Sequence, residues 1–234
     1  MARKTGLVLD AMTRHTPAPR YLPLDIAPEA LEASARALLA AHPTLTVDAV
    51  VGDFAHDLPR VPAARGPRLW AFLGSTIGNL DESQAPALLR AVATHMKDAD
   101  RFLLGVDRVK DAAVLHAAYD DSKGVTAAFN KNVLAVLNRG LGGDFDLDAF
   151  DHLAEWNGSK ARVEIYVVSR RRQRVVLRAI DLVLELEAGE RILTEISRKF
   201  TRESTAATLE GGGMALERWY DDGEFALALA RRAP

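Results

Sequence analysis

The chain has 234 residues, enough for one sizeable α/β domain or for one domain with an appended lobe. A hydrophobic share of 48% and a charged share of 26% are ordinary for a water-soluble globular protein, and a net charge of −2 lacks the basic excess that a nucleic-acid surface needs. Cysteine is absent, which excludes disulfides, thiolate catalysis and cysteine-held metal and fits a cytoplasmic location; no apolar run reaches membrane-spanning length and no signal-type core opens the chain.

Residues 3–15 form the first helical pattern, with Leu7, Leu9, Ala11 and Met12 apolar and Asp10 and Arg14 outside. No strand precedes this helix, although a parallel α/β sheet normally places one there. Residues 21–26 (YLPLDI) read as a strand ending in Asp25. An acid at that place in a nucleotide-binding sheet can accept hydrogen bonds from both ribose hydroxyls; a helix cap or loop acid is the plainer reading. Pro28 then opens a helix through Ala41. The next strand, residues 44–51, runs into Gly52-Asp53-Phe54. An acid beside an aromatic suits the edge and face of an adenine, or equally a turn acid beside a core phenylalanine.

Residues 58–67 carry three prolines and lead into the stretch around which the chain is organised, residues 68–81 (RLWAFLGSTIGNLD). A short apolar strand, 69–73, breaks into a loop of small and hydrogen-bonding residues, and Asp81 stands as N-cap of a helix over 82–97. Open α/β sheets bind ligands at such strand ends; Gly74 and Gly78 let backbone approach a ligand, and Ser75, Thr76 and Asn79 offer donors and acceptors. Residues 101–107 (RFLLGVD) continue the β/α rhythm, which predicts a mostly parallel sheet.

Two helical segments follow, 110–119 and 124–139, the second polar at Asn130, Lys131, Asn132 and Asn138. Such polar faces are costly if buried and useful if they line a cleft. Asp144, Asp146, Asp148 and Asp151 lack the glycine and terminal glutamate of a calcium loop and read as helix-start acids on a solvated turn. Residues 162–170 and 174–186 alternate strongly and predict a hairpin around the arginine-rich turn 170–174. Residues 191–200 (RILTEISRKF) predict a third strand, with Ile192, Thr194 and Ile196 on one face and Leu193, Glu195 and Ser197 on the other. A short helix over 204–210 and a last strand over 224–231 complete the chain.

The six histidines show no paired metal-ligand spacing, and neither a nucleophile elbow nor a phosphate loop is present. What remains is a row of strand-end sites: Asp25, then Asp53-Phe54, then the 74–79 loop. Adjacent strand ends of one sheet lie along one edge, so an adenosine ligand would place its ribose at Asp25, its base at Asp53-Phe54 and its reactive end toward the loop. Residue types alone leave open whether that end is a nicotinamide or a sulfonium, although no GxGxxG occurs.

FLGSTIGNL (72–80), LLGVDRVKD (103–111), the stretch 117–150, VEIYVVSRRRQ (163–173) and RILTEISRKF (191–200) closely resemble the histidine-specific Nα-methyltransferase family of ergothioneine biosynthesis. The resemblance runs along essentially the whole chain. It implies an α/β class I methyltransferase (Rossmann-like) core over residues 1–107. An α+β substrate-binding lobe over 108–234 would include a C-terminal strand returning to the core. It implies S-adenosylmethionine as methyl source and L-histidine as substrate, methylated to trimethylhistidine (hercynine); a cytoplasmic monomer with no nucleic-acid or membrane partner is the expectation beside it. Lys4, Asp25, Asp53, Phe54 and Gly74 match cofactor-binding positions. Asn79 and Tyr119 match the residues that hold the substrate's carboxylate end at the catalytic centre, and Glu195 and Ser197 the pair that grips the imidazole. The family's first strand, the GSG-type loop ahead of its lysine and a tyrosine-bearing helix bundle have no counterpart before Met1, so the expected core lacks its first strand and exposes sheet edges. A non-catalytic remnant that binds histidine-like amines or a partner chain is the alternative this departure raises.

Overall fold

Leu9 and Leu38 bury against each other where two helices cross, α1 (Arg3–Thr13) and α2 (Pro28–Ala41), with Leu45, Tyr21 and Val47 closing the cluster. The computed structural model describes residues 3–64 and 66–234; Met1 and Ala2, at the expected cofactor loop, and Arg65, in the proline-rich loop, lie outside the described residues. Proline at the first turn of α2 needs no N–H partner there, which is why the helix begins where the sequence places it.

The strand expected over 21–26 is two short ones, β1 (Arg20–Tyr21) and β2 (Leu24–Asp25), because Pro23 has no N–H to give a ladder. They pair in parallel with β3 (Thr46–Val47) and β4 (Val50–Val51) respectively. These two pairs are hydrogen-bonded separately from the main sheet, although Leu24 packs on the same core.

The main sheet holds β5 (Leu69–Phe72) parallel to β6 (Arg101–Asp107), connected through α3 (Gln84–His95). Helix α3 starts later than the predicted residue 82, because the Asp81 carboxylate first folds a turn by accepting the N–H groups of Ser83 and Gln84, both at 2.8 Å. After β6 come α4 (Ala112–Tyr119) and α5 (Val125–Leu141). The Asp121 carboxylate caps α5 through the N–H groups of Val125 and Thr126, and these bonds, led by the Thr126 hydroxyl, bring its pKa down to about 2.

Residues beyond α5 depart most from the sequence reading. Strands β7 (Phe150–Asn157), β8 (Arg162–Ser169) and, further on, β11 (Arg191–Arg198) form an antiparallel sheet with β8 central. The predicted hairpin between 162–170 and 174–186 does not form. Residues 174–186 instead fold on themselves as β9 (Gln173–Leu177) and β10 (Leu182–Leu186), around a turn in which Asp181 takes a left-handed conformation (φ 51°). The acids expected on a solvated turn lead into and along β7, where they are partners for the arginine-rich turn: Arg170 pairs with Asp151 at 2.5 Å and Arg171 with Asp146 at 2.9 Å.

Helix α6 (Arg202–Gly211) is closed at its start by a Thr201–Ser204 capping box, and β12 (Met214–Asp221), unforeseen in the sequence, pairs with β13 (Phe225–Arg232). Strand β13 returns to pair antiparallel with β6, so the sheet order is β12-β13-β6-β5 and the sheet is mixed, not mostly parallel. Ala226, Ala228 and Ala230 present small side chains to a core of Phe102, Leu104, Leu89 and Leu209, which allows α3 and α6 to sit close to the sheet.

Asp100, 1% exposed, ties β5 to β6: its carboxylate accepts the Arg68 N–H at 2.8 Å, the Lys97 N–H at 3.0 Å and the Trp70 indole N–H at 3.2 Å. Burial works against its ionisation, but these three donors prevail and hold its pKa below the usual value. A depressed native pKa gives stability that is complete above the unfolded carboxylate's pKa and lost as pH falls through the native one. Asp100→Ala strands three donors and is expected to cost about 3 kcal/mol in urea denaturation at pH 7, with a smaller difference from wild type near pH 3.

Candidate active site

Three strand ends meet along one edge. Asp25, at the end of β2, is register partner of Val51 and accepts the Gly52 N–H at its carbonyl (3.0 Å), so Asp25 and the Gly52-Asp53-Phe54 turn are neighbours. One Asp25 carboxylate oxygen takes the Ala27 N–H (3.0 Å), and one of Asp53 takes the Ala55 N–H (2.8 Å). Each carboxylate is thereby oriented by its own backbone while keeping a second oxygen. Phe54 stands edge-on to Phe72 of β5, ring centroids 5.4 Å apart, which joins this pair of strands to the main sheet.

The loop after β5 is the tightest part of the edge. Gly74 adopts a left-handed conformation (φ 88°) and Ser75 another (φ 63°), rare for a residue with a side chain. Ser75 is held there because its hydroxyl accepts the Asp107 N–H at 2.8 Å. A Cβ on Gly74 would stand 3.9 Å from Lys4 Nζ, so the lysine ammonium lies at this loop. Residues Thr76–Asn79 then turn as a short 3-10 helix against β11, so closely that a Cβ on Gly78 would be 2.8 Å from the Arg198 carbonyl oxygen. Asn79 is exposed at the end of this turn.

Strand β11 contains a bulge between Leu193 and Glu195 that sequence alternation could not show. Ile192 pairs with Val167, and past the bulge Glu195 pairs with Ile165 and Ser197 with Val163. One face therefore carries Ile192 into an apolar cluster and then presents Glu195, Ser197 and Lys199. The predicted split of Ile192 and Glu195 onto opposite faces is thus corrected. The bulge residue Thr194 is anchored by its hydroxyl, which lies 2.5 Å from Asn130 Oδ1 and 2.9 Å from the Ile165 carbonyl.

Tyr119, the last residue of α4, packs on Val163 and Ile165, and its hydroxyl is 2.8 Å from Ser197 Oγ. Lys199 Nζ donates to both hydroxyls, at 2.7 Å to Tyr119 and 2.8 Å to Ser197, and pairs with Asp107 at 2.9 Å. Burial raises the Glu195 carboxyl's pKa, with Lys199 pulling the other way. Behind them His152 links Asn130 (2.9 Å) to the Tyr119 carbonyl (2.7 Å); an Nε2–H tautomer satisfies both contacts. Asn130, polar on a helix, is therefore buried within the protein's own network and does not line a cleft. Of the predicted residues, Tyr119 and Ser197 are brought into contact, Glu195 joins them on the same strand face, and Lys4 joins Gly74. Sequence reasoning misses Lys199 and Asp107; a lysine in phase with Glu195 and Ser197 is the only signal for the first.

Parallel pairs β2-β4 and β5-β6, hydrogen-bonded in separate sheets, with β13 and then β12 added antiparallel beside β6, make the α/β architecture of class I methyltransferases. The CcbJ methyltransferase from Streptomyces caelestis shares it over 100% of this chain and 90% of that one, with a TM-score of 0.51 at 12% identity. The chain belongs to the family described as histidine-specific methyltransferase, SAM-dependent, which matches residues 1–232. It is 44% identical to the histidine N-alpha-methyltransferase of Mycobacterium tuberculosis, over 99% of this chain and 72% of that protein. It is 25% identical to ergothioneine biosynthesis protein 1 of Schizosaccharomyces pombe, over 94% of this chain and 29% of that protein.

Proposed function

We infer that this chain is an S-adenosylmethionine-dependent enzyme that methylates the α-amino nitrogen of L-histidine, toward trimethylhistidine in ergothioneine biosynthesis. Within a family specific for histidine, the observation that carries the reading is the pairing of Glu195 with Ser197 on one face of β11, beside Tyr119. A half-buried carboxylate is a costly thing to keep unless a ligand satisfies it. An imidazole N–H does so, and the hydroxyl beside it serves the ring's other nitrogen; an apolar side chain would leave both unpaired.

S-adenosylmethionine supplies the methyl group as an electrophilic sulfonium. The donor set at the strand ends fits such a ligand: Asp25 for the ribose hydroxyls, Asp53 and Phe54 for the adenine, and Lys4 with Gly74 toward the methionine end. Asn79 and Tyr119 hold the amino acid's carboxylate, so that a neutral amine is presented to the methyl group and rate comes mainly from positioning. On this reading residues 1–107 are the cofactor-binding half and 108–234 the substrate-binding lobe, with β13 returning to the core. No described helix is long and apolar enough to cross a membrane. The near-neutral charge and the lack of cysteine support a cytoplasmic enzyme acting on small molecules without a nucleic-acid partner, and the reading takes it as a monomer with no membrane partner.

Calorimetric titration of the 234-residue chain with S-adenosylhomocysteine, and then with histidine, tests this. Binding of both is expected, with Asp25→Ala weakening the nucleoside ligand about tenfold or more through lost ribose contacts. Histidine binding with no nucleoside binding would instead favour a non-catalytic chain, and a folded chain that binds neither would end the reading.

A further inference from the structure

Lys199 is buried, with a fully enclosed side chain, and no other lysine or arginine among the described residues is buried. Its ammonium has three protons and three acceptors: Asp107 Oδ2 at 2.9 Å, the Tyr119 hydroxyl at 2.7 Å and Ser197 Oγ at 2.8 Å. An ammonium only donates, so both hydroxyl oxygens are fixed as acceptors toward it. The two hydroxyls are 2.8 Å apart, and one of them donates to the other. A single hydroxyl proton is then left over. That proton cannot turn toward Lys199, which has no lone pair to offer.

We propose that Lys199 is a positioning residue of the histidine site: by donating to both oxygens of the Tyr119–Ser197 pair it turns their O–H groups away from the ammonium, and with one proton held between the hydroxyls the other is presented beside the acceptor carboxylate of Glu195. The proposal rests on the function inferred above. Neutral histidine matches such a site: when it replaces the hydroxyl-to-hydroxyl bond, its ring's lone-pair nitrogen accepts from Ser197 and its carboxylate from Tyr119, both protons already turned away from Lys199, while its ring N–H donates to Glu195. Asp107 completes the device. It balances the buried charge, and its other oxygen lies 3.0 Å from Lys110 Nζ. Its N–H, held by Ser75, ties Lys199 to the loop after β5. Packing alone would not call for an ammonium here, because taking that charge out of water is costly and a methionine fills similar space.

The test is a double-mutant cycle in the 234-residue chain, reading histidine affinity in the presence of S-adenosylhomocysteine. Lys199→Met is expected to weaken histidine binding about 10- to 100-fold, the loss typical of a charge-assisted hydrogen bond, with S-adenosylhomocysteine affinity within about twofold of wild type. Lys199→Met combined with Tyr119→Phe should lose little more than the worse single variant, because the lysine acts through that hydroxyl. Lys199→Arg, which keeps charge and donors, should recover part of the affinity. In turnover the KM for histidine should rise while that for S-adenosylmethionine holds. Additive losses in the cycle, or wild-type histidine affinity in Lys199→Met, would overturn the proposal. If Lys199→Met does not fold, Lys199→Gln carries the same cycle. Wild-type chain that binds no histidine would overturn the functional reading itself, a result distinct from a lysine without effect.

Discussion

Glu195→Gln is expected to weaken methylation of histidine about 10- to 100-fold while making the folded chain more resistant to urea at pH 7. The two effects share one cause. Burial raises the pKa of this carboxyl, and the nearby Lys199 offsets it only in part. A carboxyl with a raised native pKa holds its proton more tightly folded than unfolded, so stability falls as pH rises from the unfolded value through the native one and stays lower above it. At neutral pH the ionised group thus costs stability that a neutral amide of the same shape returns, and the ligand's N–H compensates for what Lys199 leaves. Histidine affinity in wild type should decline on the acid side at a pH above the ordinary glutamate range, and that limb should vanish in Glu195→Gln. Paired urea melts and pH profiles of kcat/KM measure both. Reduced stability of the variant at pH 7 would show that desolvation does not govern this carboxylate.

Gly78→Ala is expected to act through backbone. Its added Cβ would meet the Arg198 carbonyl oxygen at 2.8 Å and the Arg198 nitrogen at 3.3 Å, and neither can swing aside as a side-chain end could. The 76–79 turn must move off β11, at a cost of about 2 kcal/mol, or about 4–8 °C in melting temperature for a chain of this size. That movement separates Asn79 from the strand bearing Ser197, so the KM for histidine should rise along with the loss of stability. Gly74→Ala meets nothing closer than 3.9 Å and is disfavoured only by its left-handed conformation, for which about 1 kcal/mol is expected. A Gly78 variant that melts like wild type and binds histidine normally would mean that the turn is not fixed by its contact with β11.

Asp25, Asp53-Phe54 and the Gly74–Asn79 loop are legible in the sequence because each is a local pattern, a strand end of characteristic residue types, and the stretches around Tyr119 and Glu195 carry the family. Helix α2 and strand β6 fall where the sequence places them for the same reason: proline at a first turn, and a short apolar run bounded by polar residues, are decided by near neighbours. Residues 162–186 show the opposite. Their alternation marks strands but not partners, since a period of two is the same whichever strand lies alongside, and β8 pairs with β7 and β11 in place of β9. The bulge at Thr194 depends on an asparagine from helix α5, and the use of Lys199 depends on acceptors from the end of β6 and the end of α4. What this chain's sequence determined by itself was its local elements, through periodicity, caps and strand-end residues, and its class of chemistry, through its resemblance to a family. Which strands pair, which way Glu195 faces and what surrounds the buried ammonium were decided only by the tertiary structure, because burial and hydrogen-bond partnership arise between segments that meet only when the chain has folded.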